Sequence, residues 1–367
     1  MQISCLLAAT GSWLRQPISV QKMVSPVMAI PDYVTPTRIS ESAAIDMLQK
    51  LQSATLKLPA ELATGPIEST FVRTEVPPSD QPPIVVLHGF DSSCLEFRRL
   101  LPELEKLGLE AFALDVLGWG FTDTTAARSV GVEVKREALY AFWKMVIGGR
   151  KMLLAGVSLG AAVIIDFFAS YPEAVDSVAL VDPQGFIDGA PPVPKPLARV
   201  GIKVLGSWWL RAQANQLAYY DTTSFATDDA IRVGLLHCAR PQWEDDSIDW
   251  LLSGGYSVST LVPKLTAVPS LIMWGRQDQI LPPAEYVPKF IAALPAANFR
   301  WVEQCGHSPH LEQPRVLALA FSSFIQGQPI EGDSDASEIV ALANRSPMEK
   351  ALAPWRKINE VLDTPTF

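Results

Sequence analysis

Met152-Leu153-Leu154-Ala155-Gly156-Val157-Ser158-Leu159-Gly160-Ala161-Ala162-Val163-Ile164-Ile165-Asp166-Phe167-Phe168-Ala169 is the stretch on which the reading of the fold turns. It is apolar enough to invite a membrane-spanning reading, but Asp166 and the Gly-Val-Ser-Leu-Gly turn inside it argue against one. The pattern predicts a buried strand from Met152 to Val157 that passes directly into a buried helix from Gly160 to Phe168. A serine at such a turn is lifted out of the sheet, and glycines on either side remove side chains that would collide where strand and helix approach. Ser158 is therefore the candidate nucleophile, the alternative being a simple glycine-rich turn.

A serine hydroxyl is a weak nucleophile at neutral pH and needs an imidazole, itself oriented by a carboxylate. Downstream, Cys305-Gly306-His307-Ser308-Pro309 follows one predicted strand, and Asp278 follows another, Leu271-Ile272-Met273-Trp274-Gly275. His307 is the candidate base and Asp278 the candidate acid. His310 competes for the first role and Asp182, at the end of a further strand, for the second, whereas His88 reads as loop support. An oxyanion needs two backbone donors. The N–H groups of Phe90, in the turn after Ile84 to Leu87, and of Leu159, just after the serine, are the candidates.

Outward from this centre, short apolar strands alternate with helices, the sequence form of a mostly parallel α/β sheet covered on both faces. Strands are expected at Phe71 to Val76, Ile84 to Leu87, Ala111 to Asp115, Met152 to Val157, Ser177 to Val181, Ser270 to Trp274 and Asn298 to Val302. Prolines and tryptophans interrupt the alternation, predicting an inserted helical lid at 184–261 between core segments 71–183 and 262–327. An amphipathic helix is expected from Ser40 to Leu58 within an N-terminal helical extension, 32–70, and a C-terminal extension at 328–367. In the lid, Trp208, Trp209 and Leu210 are candidate substrate contacts, an apolar set suited to a long acyl or prenyl chain.

The net charge of -9 and the lack of a Lys/Arg cluster speak against a nucleic-acid partner. Four cysteines without CxxC spacing suggest free thiols, and the His307/His310 pair lacks a carboxylate at ligand spacing, so neither a metal nor a cofactor is expected. No transmembrane span is expected. Residues 1–31 contain no Asp or Glu but include Arg15, Lys22 and several serines, the composition of an organelle transit peptide, with a plastid as first choice and a merely disordered N-terminus as the alternative.

Taken together, Leu87-His88-Gly89-Phe90, Asp115-Val116-Leu117-Gly118-Trp119-Gly120, Gly156-Val157-Ser158-Leu159-Gly160, Trp274-Gly275-Arg276-Gln277-Asp278 and Gly306-His307 resemble the ordered motif set of the α/β-hydrolases, from about Phe71 to Gly327. With the leader, the chain is similar to plant plastid members that include chlorophyll dephytylases and pheophytinase, some linked to phytol supply for tocopherol. The resemblance implies an α/β-hydrolase fold, a serine esterase or lipase-like reaction, and catalytic roles for Ser158, Asp278 and His307. An apolar ester substrate and a peripheral membrane contact are expected. The alternatives are a carbon-carbon bond hydrolase or perhydrolase on the same triad, or a non-catalytic small-molecule receptor.

Overall fold

The computed structural model describes residues 28–189, 194–332, 334–337 and 340. The expected transit segment falls almost wholly outside them, as do Cys5, Pro191, Pro192 and most of the C-terminal extension. Eight strands form one sheet in the order β1-β2-β4-β3-β5-β6-β7-β8. They are β1 (Gln52–Leu56), β2 (Ile67–Arg73), β3 (Ile84–Leu87), β4 (Ala111–Leu114), β5 (Met152–Val157), β6 (Val175–Val181), β7 (Ser270–Gly275) and β8 (Asn298–Val302). β1 and β2 run antiparallel at one edge, and every pairing from β4 to β8 is parallel.

Burial on both faces explains why the strands read as continuous apolar runs. In β3, Val85 and Leu87 join one core while Ile84 and Val86 join the other, and β5 divides in the same period of two. The first core is packed by α3 (Val132–Met145), α4 (Leu159–Ser170) and α10 (Pro283–Ala293), through residues such as Phe142, Ile164 and Phe290. The second takes α1 (Ser42–Gln49), α2 (Leu100–Lys106) and α12 (Pro314–Ile325), with the short α11 (Pro309–Glu312) leading into α12. Between β6 and β7 the chain inserts α5 (Lys195–Leu205), α6 (Trp208–Ala218), α7 (Thr222–Phe225), α8 (Asp228–Leu235) and α9 (Trp243–Leu252). No helix among the described residues is long and apolar enough to cross a membrane.

Three expectations are corrected. The helix predicted from Ser40 to Leu58 stops at Gln49, and Gln52–Leu56 turns into β1, paired with Ile67–Phe71. Ala54 and Leu56 are buried in strand alternation, a period the helical face of Ile45 and Leu48 masked. The strand expected at Phe71 to Val76 runs instead from Ile67 to Arg73, because pairing with β1 extends it backwards while Pro77 and Pro78 offer no N–H beyond it. The sheet thus begins at Gln52, inside the segment expected to be a helical extension. At the other end the chain folds back on β8: Trp301 Nε1 donates to the Asp335 carbonyl (2.9 Å), Arg300 Nε donates to that of Ile330 (2.8 Å), and Ile330 and Ala336 are buried.

Candidate active site

Ser158 sits between β5 and α4 at φ 53° and ψ −119°, a conformation that a non-glycine residue adopts only when its surroundings hold it. Its N–H donates to the Val181 carbonyl (3.0 Å), and its own carbonyl accepts from Ala161 and Gln184 (both 3.0 Å). The flanking glycines do the expected steric work. A Cβ on Gly156 would stand 2.5 Å from the Gly160 backbone, and one on Gly160 would stand 2.3 Å from the Leu87 carbonyl oxygen.

Asp278 follows β7, and its buried carboxylate is held on one oxygen by the N–H groups of Ile280 (2.8 Å) and Leu281 (2.9 Å). The other oxygen receives His307 Nδ1 at 2.7 Å. With Nδ1 carrying the proton, Nε2 keeps a free lone pair, the tautomer a general base requires. Ser158 and His307 line the same cavity, and no side-chain hydrogen bond of Ser158 is present among the described residues; such contacts often tighten only when substrate is bound.

The competitors are placed differently. Asp182 accepts from the Gly275 N–H (2.8 Å), and burial together with the neighbouring Asp278 charge raises its carboxyl well above the usual range. His310 is buried three residues beyond His307, with its ring 5.4 Å from that of Phe97. Burial pulls its pKa down to about 3. His88 is buried too and held near 3 by the same cause; Nδ1 bonds the Gly89 carbonyl (2.8 Å) while Nε2 accepts from Val116 (3.0 Å), bracing the turn that carries Phe90.

Neither the Phe90 nor the Leu159 N–H has a protein acceptor among the described residues, the condition for two oxyanion donors. A Cβ on Gly89, the residue before Phe90, would stand 3.5 Å from Ser158 Cβ. The cavity beside them holds about 400 Å³ and is walled by Leu205, Leu210, Ala214, Ile231 and Val233. Of the three expected substrate contacts only Leu210 lines it. Trp208 and Trp209 are outside, 41% and 66% exposed. The reason is helical period: Leu210, Ala214 and Ala218 share one stripe of α6, and Trp209 falls nearly opposite it.

Among the described residues, two groups of side chains have ligand atoms close enough to hold a cation: Asp182, Asp278 and His307, and Asp91, His237 and Cys238. In the first, His307 Nδ1 is bonded to Asp278. In the second, the Arg211 guanidinium already occupies the Asp91 carboxylate. Cys94, Cys238 and Cys305 are free thiols. Sequence reading missed Asp91 and Glu312, because the partners that give them meaning lie about 90 to 150 residues away along the chain.

Comparison with known proteins places these features among relatives. The sequence profile of the Alpha/beta hydrolase family matches residues 84–320. The Alpha/beta hydrolase domain-containing protein VTE7 of Arabidopsis thaliana is 39% identical over 267 residues, 72% of this chain and 80% of that protein. Lipase 1 of Psychrobacter immobilis is 25% identical over 256 residues, 67% of this chain and 78% of the lipase. Among solved structures, a thermophilic esterase from Thermogutta terrifontis superposes with a TM-score of 0.62 at 20% identity, covering 75% of this chain and 98% of the esterase.

Proposed function

The chain belongs to the alpha/beta hydrolase family and is a hydrolase, and on that premise we propose that it cleaves a carboxylic ester bearing a long apolar acyl, prenyl or phytyl group. Ser158 attacks the ester carbonyl while His307 Nε2 takes its proton. Asp278 holds the imidazole, and the Phe90 and Leu159 N–H groups receive the oxyanion. Collapse of the tetrahedral intermediate expels the alcohol, protonated by His307, and leaves an acyl group on Ser158. Water activated by the same imidazole then releases the acid.

The observation that carries this reading is the His307–Asp278 bond of 2.7 Å beside a strained serine on the wall of a largely apolar cavity of about 400 Å³. The volume is within the usual range for small-molecule sites. Its cationic lining residues are already committed, Arg98 to Glu41 and Arg211 to Asp91, so the cavity suits a neutral substrate better than a dicarboxylate of carbon-carbon bond cleavage. Outside it, Leu197, Val200, Val204, Trp208 and Trp209 form an exposed apolar crest on α5 and α6, with Lys195 and Lys203 exposed beside it. That combination favours a peripheral contact with a membrane surface. The composition of residues 1–31 supports a plastid location, in keeping with a relative from a plant, and we divide the chain into leader, α/β core, helical lid at 184–261 and C-terminal extension.

The test is fluorophosphonate labelling of wild type against Ser158→Ala, followed by turnover of an ester series. Labelling is expected to vanish in the variant, with kcat down about 10⁴- to 10⁶-fold. Long-chain and prenyl esters are expected to turn over faster than short soluble ones; the reverse order overturns the substrate class. Ligand binding without Ser158-dependent turnover would favour a receptor instead.

A further inference from the structure

The helix α6 that walls the cavity is bonded at both ends to the loops that carry the chemistry. At its first turn, Arg211 reaches Asp91, the residue after Phe90. The guanidinium pairs with one Asp91 carboxylate oxygen and donates to the Asp91 carbonyl (3.2 Å). The other oxygen accepts from Trp243 Nε1 (2.8 Å) and His237 Nε2 (3.1 Å), both from the same insertion. Asp91 is 1% exposed and sits at φ 48°. At the last turn of α6, the Ala218 carbonyl accepts the His307 N–H at 2.6 Å. Glu312 closes that joint by accepting from the N–H groups of Gly306 (2.7 Å), Tyr220 (2.9 Å) and Asp221 (3.1 Å). The approach is so close that a Cβ on Gly306 would stand 2.3 Å from the Ala218 oxygen.

Arg211 and Ala218 are two turns apart on one face, about 10 Å along the axis. We propose that α6 is a strut that spaces the oxyanion loop against the histidine loop, with Asp91 and Glu312 as its positioning residues. Moving α6 off the cavity would leave the Asp91 carboxylate buried without its guanidinium and strip the acceptors from the N–H groups of His307, Tyr220 and Asp221, a cost that keeps this part of the insertion docked through the cycle. Substrate reaches Ser158 past α6 instead of beneath a swinging cover. The proposal rests on the roles assigned above to Ser158, His307 and the Phe90 N–H.

Asp91→Asn and Glu312→Gln keep shape while removing charge, and each is to be measured on the full chain for kcat and KM with a soluble p-nitrophenyl ester, well below its melting temperature. A displacement of about 1 Å at such a site costs about 10²-fold in rate, so kcat is expected to fall by about that factor with KM nearly unchanged. In wild-type hydrogen exchange, the amides of His307, Tyr220 and Asp221, which bond across the joint, are expected to exchange as slowly as those of β5, with or without fluorophosphonate on the enzyme. This second measurement decides the matter if a variant does not fold. Unchanged kcat in both variants, or fast exchange at those three amides, overturns the strut. Ser158→Ala runs in parallel: if it stays active, the active-site reading fails and the strut with it, whereas an inactive Ser158→Ala with fast amides removes the strut alone.

Discussion

Ser158 holds its hydroxyl out of the sheet at a backbone conformation that costs a non-glycine residue about 1–3 kcal/mol. Glycine adopts positive φ without that cost. Ser158→Gly is therefore expected to be more stable than Ser158→Ala by about 1 kcal/mol in denaturant unfolding, although both are expected to be inactive; equal midpoints would mean that the elbow is relaxed. The acid can be assigned just as sharply. Because burial and the Asp278 charge push Asp182 toward its neutral, protonated form, Asp182→Asn is expected to leave kcat within about threefold. Asp278→Asn removes the acceptor of His307 Nδ1–H and is expected to lower kcat by about 10⁴-fold. The reverse ranking would transfer the role to Asp182.

Elements meet here through a few buried polar joints, and the His237 joint makes one of them pH-dependent. Burial alone lowers its imidazole pKa, but the neighbouring Cys238 and the bond to Asp91 outweigh burial and raise it to about 9 from 6.5. The folded state thus binds the proton more tightly than the unfolded state. Its contribution, on the order of 3 kcal/mol at most, is complete below pH 6.5 and disappears as pH rises through 9. Wild-type melting temperature is expected to drop more steeply between pH 7 and 9.5 than that of His237→Gln; parallel curves would show that His237 is neutral in the native protein. At the same scale, the strand-turn-helix of β5 and α4 was legible because a period change falls on Gly156-Val157-Ser158-Leu159-Gly160. β1 was not, since Gln52–Leu56 acquires its strand identity from pairing with β2.

Across the whole molecule, the insertion presents one face to chemistry and another to its surroundings. Leu197 and Val200 are about 60% exposed on the outer face of α5. Leu197→Ser/Val200→Ser is expected to lose sedimentation with anionic phospholipid vesicles while turnover of a soluble ester persists; unchanged sedimentation would exclude this crest as the docking surface. The sequence by itself determined the α/β class and singled out Ser158, Asp278 and His307 as candidates, because these depend on local period, steric need for glycine and residue chemistry. Which aspartate meets His307, which side of α6 faces the cavity, and how Asp91 and Glu312 fasten the insertion to the loops of Phe90 and His307 were decided only by the tertiary structure. Those outcomes depend on contacts between residues separated by up to 152 positions, whose distances no local pattern encodes.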